Sequence, residues 1–275
     1  MDARRAAYLE ALGVDVYVRR GLARPAAAEP PPAVLEAPEA APSAVPAPRR
    51  KSPADAPITR VEVERTPDPA VAGLDWTALR DVVADCRRCG LCETRTQTVF
   101  GVGDTAARWM FIGEAPGADE DRQGEPFVGR AGQLLTSMIR ATGLTRESVY
   151  IANVLKCRPP GNRDPQAAEA AACRAYLDRQ VELVNPTLVV AVGRIAAQTL
   201  LGTDAPLAKL RGRVHALGAA RRPLVVVYHP AYLLRSPGEK RKAWLDLLQA
   251  RQVFERLQRG EQVPPCRAGC RRTRR

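Results

Sequence analysis

Apolar residues fall into short unbroken runs through the second half of the chain. Residues 109–113 (WMFIG), 149–154 (VYIANV), 188–192 (LVVAV) and 224–228 (LVVVY) are four of them. Between the runs, hydrophobic positions recur at helical spacing. Leu134, Leu135, Met138 and Ile139 mark a helix over 131–142, closed by Gly143. Further helices are predicted over 165–184, with Pro165 in the first turn, and over 195–201 and 240–257. Short strands that are apolar throughout, separated by helices, indicate a parallel sheet covered on both faces. The expected fold is therefore α/β and three-layered, a short central parallel four-stranded sheet flanked by helices, in one domain over residues 74–260.

The flanks have a different pattern. Residues 4–12 read as a short amphipathic helix with Tyr8, Leu9 and Leu12 on one face; Val14, Val16 and Val18 then alternate with polar neighbours. Residues 1–20 are thus a small island, either a frayed terminus or a docking peptide for a partner. Residues 21–73 are rich in Ala, Pro and Glu, and half of the 24 prolines lie between Arg24 and Pro69. Such a segment cannot bury enough apolar surface to offset its ordering entropy, so it reads as a disordered, semi-stiff linker. Residues 261–275 form an Arg-rich tail.

Charge divides along the same lines. The chain carries 42 Lys and Arg against 30 Asp and Glu, a formal +12. The first 75 residues hold ten basic and eleven acidic side chains, so the whole excess belongs to the remainder. That distribution favours a polyanionic partner such as nucleic acid. No stretch approaches the roughly 20 apolar residues that a membrane span needs. The first residues lack the apolar core of a secretory signal.

Seven cysteines occur: Cys86, Cys89, Cys92, Cys157, Cys173, Cys266 and Cys270. An odd number with no secretory signal argues against a disulfide framework. Cys86-x2-Cys89 can point two thiolates at one centre, and Cys157 and Cys173 could complete a site closed by folding. By spacing alone that site is a four-cysteine zinc, an iron–sulfur cluster, or nothing more than free thiols. Cys266 and Cys270, in the Arg-rich tail, read as free thiols.

In open α/β sheets, ligands bind beyond the carboxyl ends of the strands. Here the four strands run into Gly113-Glu114-Ala115-Pro116-Gly117, into Asn153 and the 156–163 segment (KCRPPGNR), into Gly193-Arg194, and into the 229–237 segment (HPAYLLRSP). A carboxylate, an amide, a histidine and several arginines therefore converge on one rim. The phosphate loop, nucleophile-elbow and zinc-protease motifs are absent, and Gly101-x-Gly103 reads as a turn.

The segments CRRCGLCETRTQTVFGVGD, FIGEAPGADEDRQGEPFVGRAGQLL, YIANVLKCRPPGNRDP and HPAYLLRSP together resemble family 4 uracil-DNA glycosylases, in order and spacing, from about residue 85 to 250. The resemblance implies a uracil-DNA glycosylase-like fold and hydrolysis of the N-glycosidic bond of uracil in single- and double-stranded DNA, leaving an abasic site. A non-catalytic, metal-containing DNA-binding adaptor is the alternative from another class. Breaking the bond develops positive charge on the sugar and negative charge on the departing base, so a site must stabilise both. By resemblance, Glu114 would steady the sugar and orient water, and His229 would stabilise the uracil anion. As residues alone, Glu114 could be a loop-capping carboxylate. His215, within a basic stretch, reads as a surface residue.

Phe127 would stack on the flipped base, and Asn153 would read its edge, since an amide both donates and accepts. Gly113, Ala115 and Gly117 would complete the pocket wall. Core packing is the plainer role for Phe127, and a strand-end cap for Asn153. Tyr232, Leu233 and Leu234 would form an apolar wedge, with Arg235, Ser236, Arg158 and Arg163 on the DNA backbone. The resemblance assigns Cys86, Cys89, Cys157 and Cys173 to a [4Fe–4S] cluster and leaves Cys92 outside the set. It implies a cytoplasmic, nucleoid-associated enzyme, expected to be a monomer. Residues 1–20 also resemble, faintly, a peptide of the replication clamp loader's psi subunit, which would make a replication or repair protein the partner.

Overall fold

The computed structural model describes residues 68–265. The 1–20 island, residues 21–67 of the linker, and residues 266–275 of the tail, with Cys266 and Cys270, lie outside the described residues. Six strands form one sheet: β1 (Val102–Gly103), β2 (Trp109–Gly113), β3 (Tyr150–Asn153), β4 (Leu188–Val192), β5 (Val214–Leu217) and β6 (Arg222–Val227). Their order is β1-β3-β2-β4-β6-β5. The helices among the described residues are α1 (Pro69–Ala72), α2 (Trp76–Ala84), α3 (Ala118–Gln123), α4 (Arg130–Ala141), α5 (Ala167–Val184), α6 (Arg194–Leu201), α7 (Leu207–Leu210), α8 (Pro230–Arg235) and α9 (Lys240–Gln258).

The four apolar runs are the parallel centre of the sheet, β3-β2-β4-β6. They can be apolar throughout because successive side chains enter opposite cores. On β2, Met110 and Ile112 enter one core while Trp109 and Phe111 enter the other. Leu177 and Val181 of α5 with Ala197 and Leu200 of α6 close the first core. Met138 and Ile139 of α4 with Leu247 and Ala250 of α9 close the second.

The sheet also has two antiparallel edges, β1 on β3 and β5 on β6. The hydrophobic pattern misses both, because neither contains an apolar run. β1 has two residues and lies where a turn was expected, with Gly101 and Gly103 at φ 147° and 118°. β5 (VHAL) is half-buried at three of its four positions. His215 therefore belongs to an edge strand rather than to an open surface, and its Nε2 pairs with the Leu210 carbonyl at 2.8 Å.

Two boundaries differ from the expectation. Ordered structure includes residues 68–73, assigned above to the linker: Asp68 caps α1 through the Ala70 N–H, and Val71 is buried with Leu79, Val83, Phe100 and Tyr176. Helix α5 begins at Ala167 rather than at Pro165. Gln166 is its N-cap, and the Gln166 N–H donates to Glu169 Oε2 at 2.8 Å. No helix among the described residues is long and apolar enough to cross a membrane.

Candidate active site

Parallel pairing sets Gly113 beside Asn153 at the ends of β2 and β3. A Cβ on Gly113 would collide with Asn153 Oδ1 and stand 2.5 Å from Phe127 Cζ. Glycine is thus what lets an amide and an aromatic ring edge close on one spot. Asn153 is 1% exposed, and its Oδ1 has no hydrogen-bond partner. A buried amide oxygen without a partner is costly, and a bound ligand carrying an N–H donor would satisfy it. Phe127 holds φ 56°, which is strained for an aromatic residue.

That strain is held by its neighbours. Glu120 Oε1 accepts from the N–H groups of Val128 at 2.9 Å and Gly129 at 3.1 Å, while Oε2 accepts from Gly117 N–H at 3.0 Å. One carboxylate so ties the GEAPG loop to the Phe127 loop. On the far side Gly132 touches the Phe127 carbonyl so closely that no Cβ fits.

Glu114 follows Gly113 directly, and its carbonyl accepts from Leu155 N–H at 3.0 Å, stitching the loop to the segment after β3. Burial pushes its carboxyl up to about 7; the charge of Asp164 adds to the rise and Arg194 opposes it. Arg194 and Asp164 pair at 2.9 Å. A carboxyl poised there can hold water or release a proton near neutral pH.

His229 ends the β6 segment on the other side of the rim. Its ring centroid lies 5.8 Å from that of Phe127, and its Cβ is 3.0 Å from where a Cβ of Gly193 would sit. Burial holds its pKa down to about 4, with Arg235 adding to the effect and Glu120 opposing it. The ring is therefore neutral at pH 7. Nδ1 accepts from Ala231 N–H at 3.1 Å, which leaves the proton on Nε2 as a donor.

The expected DNA-facing residues divide. Tyr232 and Leu234 are 37% and 38% exposed on α8, but Leu233 is 1% exposed within the second core. Leu233 is thus corrected from wedge to anchor, because a helix as short as α8 must turn one side to the sheet. Arg235 is exposed and Ser236 caps α8. Arg163 is half-buried and engaged in an ion pair, gripping Glu169 with both terminal nitrogens at 2.9 and 2.5 Å. Arg158 Nε donates to Asn162 Oδ1 at 2.7 Å. Ala115 packs on the first core, and Gly117 lets the chain approach Glu120.

The cysteines gather on the α5 side. Cys157 and Cys173 are buried; Cys86, Cys89 and Cys92 are half-buried. Cys157 feels the charges of Cys89 and Cys86, and Cys173 those of Cys157 and Cys89. Burial pushes the Cys157 thiol up and Cys173 up to about 11. Two donors face the sulfurs: the Arg95 guanidinium donates to Cys157 Sγ at 3.1 Å, and the Lys156 backbone N–H reaches Cys173. Among the described residues, no three metal-binding side chains converge on a single-ion site. Cys157 lies within electrostatic reach of Cys86, Cys89 and Cys173, a donor set of soft sulfur ligands with an N–H donor beside it.

Sequence reasoning missed the clamping role of Glu120, although Gly117-x-x-Glu120 before a helix has the spacing of a capping box. It also missed Asp121, which is 3% exposed and accepts from Thr96 N–H through both oxygens, fastening the cysteine segment to α3. Lys156 was quoted within its segment but not singled out. It is buried, and its Nζ reaches the Asn153 carbonyl at 2.9 Å and Gln180 Oε1 at 2.6 Å.

Comparison with known proteins gives this geometry a family. Residues 100–248, more than half of the chain, match the model of the uracil DNA glycosylase superfamily. A type-4 uracil-DNA glycosylase of Archaeoglobus fulgidus is 45% identical over 169 residues, covering 58% of this chain and 85% of the relative. The chain belongs to the type-4 uracil-DNA glycosylases. The type-4 enzyme of Thermotoga maritima is 42% identical over 175 residues, 62% of this chain and 90% of the relative. A type-5 uracil-DNA glycosylase of Pyrobaculum aerophilum is 33% identical over 146 residues, 48% of this chain and 64% of its own length.

Proposed function

We propose that the chain removes uracil from DNA by hydrolysing its N-glycosidic bond. The carrying observation is the slot at Gly113, where Phe127 and the unpartnered Asn153 Oδ1 close on one point. A uracil turned out of the stack would lie on the Phe127 ring, give its ring N–H to Asn153 Oδ1, and take a hydrogen bond from the amide nitrogen. Glu114, ionised above about pH 7, faces the sugar side, steadies the developing positive charge and orients water. Neutral His229 donates from Nε2 to the carbonyl oxygen that gathers the departing base's charge. A pre-placed neutral donor needs no proton from solvent at the moment of cleavage.

Cys86, Cys89, Cys157 and Cys173 would hold a [4Fe–4S] cluster. The cluster supplies a rigid structural knot near the 156–163 segment, and no bond-breaking step runs through it. Iron bound by the purified chain should fall with Cys157→Ala and survive Cys92→Ala. The chain is read as acting as a monomer, on single- and double-stranded DNA alike. Residues 1–20 read as a docking segment and 21–67 as its tether, in a cytoplasmic enzyme working at the nucleoid. A peptide of residues 1–20 that captures no replication or repair protein would remove the docking role.

The activity test uses an oligonucleotide with one uracil and its thymine twin. After incubation with the purified chain, alkali should break only the uracil strand. Binding without breakage would favour a non-catalytic adaptor, for which the slot has no use.

A further inference from the structure

Four side chains that the base slot does not use run in a line from inside α9 to the exposed side of α8. Asp246, 3% exposed, accepts from Arg211 Nε at 2.6 Å. Arg211, 5% exposed, also donates to the Lys242 carbonyl at 3.0 Å. Its guanidinium lies over the Tyr228 ring, 3.7 Å from the centroid. Tyr228 stacks on Tyr232 with centroids 5.1 Å apart and planes 28° from parallel. The Tyr228 phenol also hydrogen-bonds to Glu239.

A buried ion pair is a poor way to stabilise a core, because apolar residues of similar size would hold α9 to the sheet as well or better. What this pair provides is a fixed guanidinium plate behind an aromatic ring. The ring it backs belongs to the residue just before His229 and presses on the exposed aromatic of α8. Tyr232 and Leu234 are two of the few large apolar side chains exposed among the described residues. An exposed Tyr alone would sample several rotamers and lose that freedom on binding; a stacked one is already in place.

We propose that Tyr228, backed by Arg211 and Asp246, is a positioning residue that fixes Tyr232 at the DNA face, so that the Tyr232–Leu234 edge can fill a duplex as uracil leaves it. The proposal rests on the glycosylase reading above. A duplex must be unstacked and unpaired at the target, whereas a single strand is already open. Loss of the stack should therefore handicap duplex substrate selectively.

The test compares uracil release from one oligonucleotide, single-stranded and annealed to its complement, by the full chain and by Tyr228→Leu, Tyr228→Phe and Arg211→Met. Tyr228→Leu should lower the duplex-to-single-strand ratio of kcat/KM by about fivefold to tenfold, the size of one aromatic pair. Tyr228→Phe keeps the ring and should restore the ratio; Arg211→Met should shift it in the same direction as Tyr228→Leu. An unchanged ratio, equal losses on both substrates, or no rescue by Tyr228→Phe overturns the proposal. Should Arg211→Met fail to fold, the Tyr228 pair of variants decides. If the unaltered chain releases no uracil from either form, the glycosylase reading itself falls and takes the proposal with it.

Discussion

Replacing Glu114 by Gln should abolish most activity and yet make the protein more stable. Burial raises the folded carboxyl from 4.5 to about 7. The folded chain thus holds this proton more tightly than the unfolded chain does. The resulting stability is full below the ordinary carboxylate value and is lost as pH rises through about 7. At about 1.4 kcal/mol per pH unit, the window amounts to about 3 kcal/mol. The carboxyl is only half-buried, which reduces the expected effect to about 2 kcal/mol. Gln has nearly the same shape and no charge, so it removes that cost. For a folded unit of this size, about 2 kcal/mol raises Tm by roughly 4–8 °C at about pH 8.5. The gain should shrink to a degree or two near pH 4.5, where the carboxyl is protonated in the folded chain and already half-protonated in the unfolded one. Thermal melting at the two pH values, with uracil release measured on the same samples, checks both halves. A variant that melts no higher than the native chain at about pH 8.5, or that shows the same offset at both, would refute the claim that this carboxylate is held in an unfavourable setting.

The same shifts set the pH profile. With Glu114 needed ionised, kcat/KM on single-stranded uracil should fall about tenfold per unit below about pH 7 and steepen near 4 as His229 protonates; a profile flat from pH 5 to 8 would be at odds with the role given to Glu114. Gly113→Ala puts a methyl against Asn153 and Phe127. It should cost about 1–3 kcal/mol of stability by overpacking and about 10- to 100-fold in kcat/KM, read by melting and base release, and native activity would show that the slot is not where the base goes. Leu233→Ala should destabilise the fold by about 2–5 kcal/mol in chemical denaturation, while Leu234→Ala stays within about 1 kcal/mol; a reversal would mean that α8 sits the other way round.

Much of this architecture could be read from side-chain pattern alone, for physical reasons. The runs at 109–113 and 188–192 coincide with β2 and β4 because central parallel strands bury both faces. β1 and β5 escaped because edge strands need only one buried face, and His215 and Gly103 look like surface and turn residues. The resemblance named Glu114, Phe127, Asn153 and His229, and the fold places Asn153 and Phe127 around Gly113 with His229 beside Phe127. Leu233 could not be told from Leu234 in sequence, since both sit in one apolar triplet and only the packing of α8 separates them. Glu120 and the Arg211–Tyr228–Tyr232 stack were not foreseen, because their roles depend on loops and helices distant in sequence meeting in space.

The most direct test of the central claim is mass-spectrometric detection of free base after the full chain acts on a single-stranded oligonucleotide containing one uracil. The account predicts one equivalent of free uracil and an intact strand with an abasic site, with release lowered by orders of magnitude in Glu114→Gln and His229→Ala. Absence of free uracil, or undiminished release by either variant, would contradict it.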